Sequence, residues 1–189
     1  VASGTSLSLS SEIGSGNNAI ISGAGTTRLF VAYGNITVSD LILERGKTNA
    51  GGAFFVSKTG SNPSGRVHMI RTLVRMCEVI LYGGGAYLVN GATLVLDSST
   101  FESNTATQFG GGIMAHIGSS IVVVASQSSS LILRNVADAY GGGIYLQDQG
   151  TRLDVSGSGT QMVVNGNTAK QRGGGVCAFS ASSITLSFA

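Results

Sequence analysis

The stretch FESNTATQFGGGIMAH, Phe101 to His116, has three consecutive glycines immediately before an apolar run. Related stretches recur along the chain as LYGGGAYL (81–88), AYGGGIYL (139–146) and QRGGGVCA (171–178), with NAGGAFFV (49–56) as a degenerate earlier copy. The last glycines of the five copies are 27 to 33 residues apart. Self-similarity at a period of this size is the sequence signature of a repeat architecture.

A second landmark lies between the glycine copies and keeps the same period. It is a short alternating run with two apolar residues two positions apart: Leu7/Leu9, Ile36/Val38, Val67/Met69, Leu94/Leu96, Ile121/Val123, Leu153/Val155 and Ile184/Leu186. Each unit holds about three such strand-like runs, and no stretch has sustained helical periodicity. The two landmarks predict an all-β fold, a right-handed parallel β-helix (solenoid) of about six coils of 27–33 residues.

The composition is compatible with a solenoid that has a packed core. The 189 residues include 29 glycines, and 42% are hydrophobic, which separates the chain from disordered glycine-rich sequences. Net charge is only +2 with scattered Lys and Arg, so nucleic acid and anionic membranes gain no support as partners. Because alternating pairs reach both ends without a cap, residues 1–189 are interpreted as a single β-helix segment of a longer solenoid.

The glycines do not match a nucleotide-binding loop. Phosphate-binding motifs place glycines and a Lys-Ser/Thr pair, or Gly-x-Gly-x-x-Gly, between a strand and a helix N-terminus. Here the glycines are contiguous, recur, and precede strands. The interpretation is structural, since glycine tolerates positive φ and close backbone approach at a tight corner.

Asparagines occupy a fixed slot six residues before the first glycine of each triplet. They are Asn104, Asn135 and Asn167, with Cys77 in the same slot of an earlier unit. Stacked asparagine amides can satisfy the backbone groups of a buried turn and can bond to each other. We expect the three asparagines to form a structural ladder.

Counting from the last glycine gives an outward-facing column of apolar residues: Phe54, Tyr87, Met114, Tyr145 and Cys177. A second aromatic column, Tyr82, Phe109 and Tyr140, precedes the triplets. An apolar stripe along a rod is a candidate surface for a partner protein or a glycan. The alternative is that neighbouring loops of the same chain cover it.

Residues with catalytic chemistry do not form a recognisable constellation. The best carboxylate pair is Asp97 and Asp154, two coils apart at roughly 10 Å by strand spacing, without a matching Arg or His column. His68 and His116 fall in different parts of the coil. We therefore predict no catalytic residue, no cofactor and no metal site, and interpret these acids as solvated turn residues.

Three smaller features complete the set of candidate residues. Cys77 and Cys177 lie about three coils apart, roughly 14 Å, so both are predicted to be free thiols. Arg75 and Glu102 share a column and are expected to make a surface ion pair worth under about 1 kcal/mol. Asn35 begins the sequon Asn35-Ile36-Thr37, a possible glycosylation site in a eukaryotic secretory route.

The repeat resembles a known family. The Phe-x-x-Asn element at 101–104 and the glycine sequences at 51–53, 83–86, 110–113, 141–144 and 173–176 are similar to the repeats of chlamydial polymorphic outer-membrane proteins. The chain departs from them in having Gly-Gly-Gly more often than Gly-Gly-Ala and only one strict Phe-x-x-Asn. The resemblance implies a passenger that displays adhesive surfaces outside the cell, and it implies no catalytic residues.

The preferred function is an extracellular structural or adhesive shaft in a surface protein or filament. It would contact other chains or domains of its assembly, or glycans, through the outer apolar stripe. The alternative is a carbohydrate-active enzyme, a polysaccharide lyase, hydrolase or epimerase, with part of its site outside this segment.

Overall fold

A computed structural model describes residues 1–11, 18–60, 64–124, 126–157 and 159–187. These residues form parallel β-strands and turns, and none of them lies in a helix. The strands are β1 (Ser6–Ser10), β2 (Ala19–Ser22), β3 (Phe30–Ala32), β4 (Asn35–Ser39), β5 (Leu41–Glu44), β6 (Lys47–Ala50), β7 (Phe54–Val56), β8 (Arg66–Ile70), β9 (Leu73–Arg75), β10 (Glu78–Tyr82), β11 (Ala86–Leu88), β12 (Thr93–Asp97), β13 (Thr100–Glu102), β14 (Thr105–Ala106), β15 (Ile113–Ala115), β16 (Ser120–Val124), β17 (Ser130–Leu133), β18 (Val136–Ala137), β19 (Ile144–Gln147), β20 (Arg152–Ser156), β21 (Met162–Asn165), β22 (Thr168–Ala169), β23 (Val176–Phe179) and β24 (Ser183–Ser187).

The strands stack into four parallel sheets. Sheet I has the order β1-β4-β8-β12-β16-β20-β24, and sheet II has the order β2-β5-β9-β13-β17-β21. Sheet III has the order β22-β18-β14-β10-β6, and sheet IV has the order β23-β19-β15-β11-β7-β3. The prediction of an all-β parallel solenoid of about six turns is confirmed. Its right-handed sense stays an expectation, based on the strong preference of parallel strand connections.

The second to sixth coils have four strands each, where the sequence indicated about three, and the described part of the first coil has β1, β2 and β3. The additional element is sheet III, whose strands in the later coils are two residues long, such as Thr105–Ala106. A two-residue strand is too short to show alternation, so the pattern could not reveal it.

The core lies along the solenoid axis and is built by the inward-facing columns. In sheet I the predicted apolar pairs face inward, and Leu94, Leu96, Ile121 and Val123 have no exposed side-chain surface. Strand alternation places these side chains on one face, and in-register stacking of the coils then brings them together.

Tight corners connect the sheets, and they require unusual backbone. Between sheets II and III, the residue before the ladder slot has a positive φ in successive coils, as in Met76, Ser103 and Arg134. At the start of sheet IV the first glycine of the triplet plays this part, with a φ of 65° at Gly110. A Cβ on the next residue, Gly111, would lie 2.4 Å from the carbonyl oxygen of Gly142 in the next coil. Only glycine therefore fits at position 111 without a shift of the backbone.

The predicted register of the first glycine copy is wrong by one residue. Phe54 pairs with Ala86 and is fully buried in the core, whereas Phe55 pairs with Tyr87. Gly51, with a φ of 65°, is the equivalent of the first glycine of each triplet, so Ala53 occupies the place of the third glycine. Counting from the last glycine therefore placed Phe54 outward in error.

Candidate functional site

An aromatic layer lies on the outer face of sheet IV. We use this term for Phe55, Tyr87 and Tyr145 of the outward column together with Tyr82, Phe109 and Tyr140. Tyr87 pairs in register with Met114, Met114 with Tyr145, and Tyr145 with Cys177. Apart from Phe54, the outward column thus has the predicted order along the solenoid.

The second aromatic column covers the first. Tyr82, Phe109 and Tyr140 follow one another as parallel bridges between coils, with ring centroids 5.7 and 5.3 Å apart. The ring of Phe109 also stacks on Tyr145 at 5.0 Å. As a result Met114 is only 2% exposed and Tyr145 only 3%. The accessible rings of the layer are half-buried and belong to both columns: Tyr82, Phe109 and Tyr140 of the second aromatic column, and Phe55 and Tyr87 of the outward column.

An arginine lies against the aromatic layer near each end. The Arg28 guanidinium is 5.1 Å from the centroid of Phe55, and its Nη2 donates to the carbonyl oxygen of Ala50 at 2.7 Å. The Arg172 guanidinium is 5.9 Å from the centroid of Tyr140. Cations over ring faces are attracted by the ring quadrupole, so both contacts add charge to an otherwise apolar strip.

A tyrosine–histidine–aspartate chain lies at the edge of the layer. Tyr87 Oη is 3.4 Å from His116 Nδ1, and His116 Nε2 is 2.7 Å from Asp148 Oδ2. The three residues come from successive coils, so the chain ties those coils together. Burial raises the pKa of Tyr87, with smaller contributions from Tyr82 and Asp148. The hydroxyl therefore stays protonated at neutral pH, which suits a hydrogen-bonding role and not a nucleophile.

The three asparagines form a continuous ladder at the corner between sheets II and III, in which Asn104 and Asn135 are fully buried and Asn167 is half-buried. Asn104 donates from both its backbone nitrogen and Nδ2 to Asn135 Oδ1, each at 3.0 Å. Asn135 makes the same two bonds to Asn167 Oδ1, each at 2.9 Å. The Nδ2 groups also donate to backbone carbonyls, such as that of Val74 at 3.1 Å. Each amide thus makes hydrogen bonds to the coils next to its own.

Cys77 ends the ladder towards the N-terminus. Its backbone nitrogen donates to Asn104 Oδ1 at 3.0 Å, and its side chain is buried. Burial raises the pKa of the thiol to about 11. A thiol in this state is a packing group rather than a nucleophile. Cys77 and Cys177 are both free cysteines.

A second, shorter ladder was missed by the sequence analysis. At the corner between sheets I and II, the backbone nitrogen of Thr72 donates to Ser99 Oγ at 3.1 Å, and that of Ser99 donates to Ser130 Oγ at 3.2 Å. All three are buried. Thr72 and Ser99 each follow the apolar pair by three residues, but a longer connection precedes Ser130 and breaks the spacing.

Asp97 and Asp154 are not brought together as a carboxylate pair. Asp97 pairs with Val124, whereas Asp154 is in the column of Val95 and Val122. Burial alone would raise the pKa of Asp97, but hydrogen bonds from Ser126 and Ser98 outweigh it, so the pKa is lowered.

Asp154, Arg75 and Glu102 make ordinary ion pairs. Asp154 accepts a bond from Arg152 Nε at 2.8 Å. Arg75 and Glu102 are neighbours in one column, but each takes another partner, since Arg75 binds Glu44 at 2.7 Å and Glu102 binds Arg134. Over the residues that the structure describes, no group of three or more His, Cys, Asp or Glu could hold a metal ion.

Asn35 is exposed at the start of β4, on the outer face of sheet I. It lines a shallow depression of about 440 Å³, together with Ser6, Leu7, Ser8, Ile36, Thr37, Arg66 and His68. Burial is the largest influence on His68 and lowers its pKa. The depression is accessible from outside, which is compatible with an attached glycan at Asn35.

Comparison with known proteins supports the family resemblance. Residues 98–116 match the family model of the Chlamydia polymorphic membrane protein (Chlamydia_PMP) repeat. The match includes Phe101, Asn104 and the glycines at 110–112, so the resemblance inferred from those residues is confirmed. No curated protein and no solved structure matches the chain. The match spans 19 of the 189 residues, and a repeat similar to those of this membrane-protein family, on a β-solenoid, suggests a surface protein.

The described residues include no helix long and apolar enough to span a membrane.

Proposed function

We propose that this chain is a length of extracellular shaft in a surface protein, with an adhesive face along the aromatic layer. The observation that carries the proposal is the in-register stacking of sheet I from β1 to β24, combined with the repeat match at 98–116. Each coil bonds its backbone to the coils on either side. Such a rod holds a fixed length, which is what a shaft requires.

The buried ladders support this role because they fix the register between coils. A slip of one residue between β13 and β17 would separate Asn104 from Asn135 and leave buried donors without acceptors. Such a slip would also turn the inward columns out of the core. The shaft therefore resists shear between coils as well as extension.

The adhesive face is proposed for the second aromatic column, which is Tyr82, Phe109 and Tyr140. Tyr82, Phe109 and Tyr140 are half-buried, and the buried ring of Tyr145 stacks on Phe109 and Tyr140 from beneath. Aromatic residues and arginine are enriched in protein interfaces, and Arg172 lies at the end of this column. The ring faces stack on one another, so mainly ring edges remain, and we favour a partner protein over a sugar ring.

A cell-binding experiment tests the adhesive face. Beads that carry the purified chain are incubated with cultured epithelial cells, and retained beads are counted for the parent chain, Tyr140→Ala and Tyr82→Ala. Ile20→Ala is the matched control, because Ile20 is an exposed apolar residue of β2 in sheet II, and no residue of the layer belongs to that sheet. We expect retention to fall by about tenfold in the tyrosine variants, as for loss of one interface hot spot, and to be unchanged in the control.

The outcomes separate the two parts of the proposal. Equal retention of the tyrosine variants and the control would remove the adhesive face from the aromatic layer. Loss of retention after glycosidase treatment of the cells, but not after protease treatment, would identify a glycan in place of a protein. Absence of any retention, with the fold intact by circular dichroism, would leave a shaft without adhesion.

A further inference from the structure

The shallow depression on the outer face of sheet I is lined by polar side chains. In-register pairing builds it from two neighbouring columns: Ser6, Asn35 and Arg66 in one, and Ser8, Thr37 and His68 in the other. The columns cross three strands, a width of about 10 Å. The volume of about 440 Å³ is within the usual range of small-ligand sites, about 300–1,000 Å³. A depression of this size and polarity can hold a small polar ligand.

The outer side chains of β4 and β8 are accessible although both strands have neighbours on each side. β4 lies between β1 and β8, and β8 lies between β4 and β12. Asn35 and Arg66 are nevertheless exposed, and Thr37 and His68 are half-buried. These four side chains therefore face outward because of strand alternation alone.

Arg66 is a cation without an anionic partner. A later coil offers the comparison, because Arg152 lies in the column of Arg66, and Asp154 lies in the column of His68. Arg152 Nε donates to Asp154 Oδ2 at 2.8 Å. Arg66 has His68 in place of that acid, and no acid pairs with Arg66 over the residues that the structure describes. The guanidinium of Arg66 is therefore available to an anion from outside the chain.

His68 contributes a polar atom that is not satisfied. Its Nε2 is buried and has no hydrogen-bond partner in the described part of the chain. Buried polar atoms nearly always have a partner, and the lack of one is costly. Burial lowers the pKa of His68, so the ring is mainly neutral at neutral pH and has one donor and one acceptor nitrogen. Because His68 lines the depression, a ligand there can supply the missing partner after a rotation of the ring.

The acid that acts on His68 does not line the depression. Asp97 raises the pKa of His68 from the next coil, against the larger effect of burial, but it is only 8% exposed and accepts from Ser126 Oγ at 2.7 Å. The neighbours of His68 in the adjacent strands, Thr37 and Val95, are uncharged. The described lining of the depression thus contains no carboxylate that would repel an anion.

We propose that this depression binds the acidic group of a saccharide, a carboxylate or a sulfate, with Arg66 as the cationic partner. Arginine presents parallel N–H donors that match the oxygens of such groups. The amide of Asn35 and the hydroxyl of Thr37 match sugar hydroxyls, which donate and accept. The lining has no Phe, Tyr or Trp ring, so polar contacts select the sugar. The site lies on sheet I, and it does not rest on the adhesive face proposed for sheet IV.

A nuclear magnetic resonance titration of the whole chain tests the proposal. The chain is labelled with nitrogen-15 and produced in a bacterial host that leaves Asn35 without a glycan. The probes are a disaccharide with glucuronic acid, a disaccharide with a sulfated galactose, neutral lactose and inorganic sulfate. We expect an acidic disaccharide to shift the backbone amides of Asn35, Thr37, Arg66 and His68. Lactose is expected to bind at least about tenfold more weakly, the factor for loss of one charge-assisted hydrogen bond.

Three variants locate the charge that binds. Arg66→Ala is expected to weaken binding of the acidic disaccharide by about tenfold or more. Arg152→Ala is the matched control, because Arg152 is an exposed arginine of the same column whose charge is already paired, and its affinity is expected to equal that of the parent. His68→Asp gives β8 the Arg-x-Asp arrangement of β20 and is expected to abolish binding while Arg66 is kept. Circular dichroism verifies the fold of each variant.

The outcomes are distinct. Stronger binding of one acidic disaccharide than of the other would support the proposal and identify the acidic group as carboxylate or sulfate. Equal affinity for lactose, or equal affinity of Arg66→Ala and Arg152→Ala, would overturn it. Binding of inorganic sulfate as tightly as the sulfated disaccharide would also overturn it, because the sugar would then contribute nothing.

Discussion

The asparagine ladder and the aromatic layer both repeat along the solenoid, but they tolerate change differently. In the ladder the amide oxygens of Asn135 and Asn167 each take two bonds at 2.9 to 3.0 Å, and the donors on Asn104 and Asn135 belong to fully buried residues. In the aromatic layer, ring centroids lie 5.0 to 6.1 Å apart at interplanar angles from 3° to 57°. A hydrogen-bonded column requires one chemistry at one spacing, whereas stacked rings adapt to several. The comparison indicates that the ladder specifies register and the layer adds stability.

The largest expected effect comes from breaking the ladder in its middle. Asn135→Ala removes the oxygen that accepts from the Asn104 nitrogen and Nδ2, so two buried donors lose their partner. We expect the free energy of unfolding to fall by about 4 kcal/mol. Chemical denaturation measures it, with Asn49→Ala, at an exposed position, as the control within about 0.5 kcal/mol of the parent. Similar small losses in both variants would mean that the ladder does not specify register.

A smaller loss is expected in the aromatic layer. Tyr145→Ala removes a buried ring that stacks on Phe109 and Tyr140, but these two rings are half-buried and can shift into the space. We expect a loss of about 2 kcal/mol, less than for a ring removed from a closed core. Tyr145→Phe keeps the ring and is expected to stay within about 0.5 kcal/mol of the parent in the same denaturation series. A loss equal to that of Asn135→Ala would contradict the tolerance of the layer.

The smallest expected effect is on the pH dependence of stability. The asparagine ladder is uncharged, whereas Asp97 is ionised at neutral pH. The lowered pKa of Asp97 means that its hydrogen bonds from Ser126 and Ser98 stabilise the fold when it is ionised. This stability is present above the ordinary Asp pKa of about 4 and is lost as pH falls through the lower pKa of the folded chain. We expect Asp97→Asn to reduce the acid-induced loss by about 1 kcal/mol.

Thermal unfolding at neutral and acidic pH measures this difference. Asp138→Asn is the control, because Asp138 is a partly exposed residue paired with Lys170. An unchanged acid sensitivity in Asp97→Asn would show that the serine bonds to Asp97 contribute nothing that depends on pH.

Periodic features of the fold could be predicted from the sequence, and features that depend on a single loop could not. The glycine copies and alternating pairs recur with the coil, and stacked coils place equal residues in equal environments. The first glycine copy was misaligned because Ala53 takes a glycine position and resembles the apolar residue that follows in other coils. Ser130 was missed because a longer connection shifts it from the spacing of Ser99.

The candidate site was predictable in its members but not in its surface. Both aromatic columns are visible in the sequence, yet whether Phe109 folds over Tyr145 depends on the direction of the turn before the glycines. Partners of charged residues were likewise undetermined. Arg75 has an acid in the coils on both sides, and side-chain geometry selects Glu44. The position of Arg75 in its column does not by itself determine which of the two acids it binds.

The shared slot of Asn104, Asn135 and Asn167 has a consequence for how such a protein can evolve. Because each coil contacts chiefly its neighbours, removal of residues 104–134 would join Ser103 to Asn135 and leave every column in step. Recombination between repeats in the gene can therefore add or delete whole coils, because the new join between coils has the same structure as the existing ones. The length of the molecule then changes in steps of about 4.8 Å, the spacing of one strand.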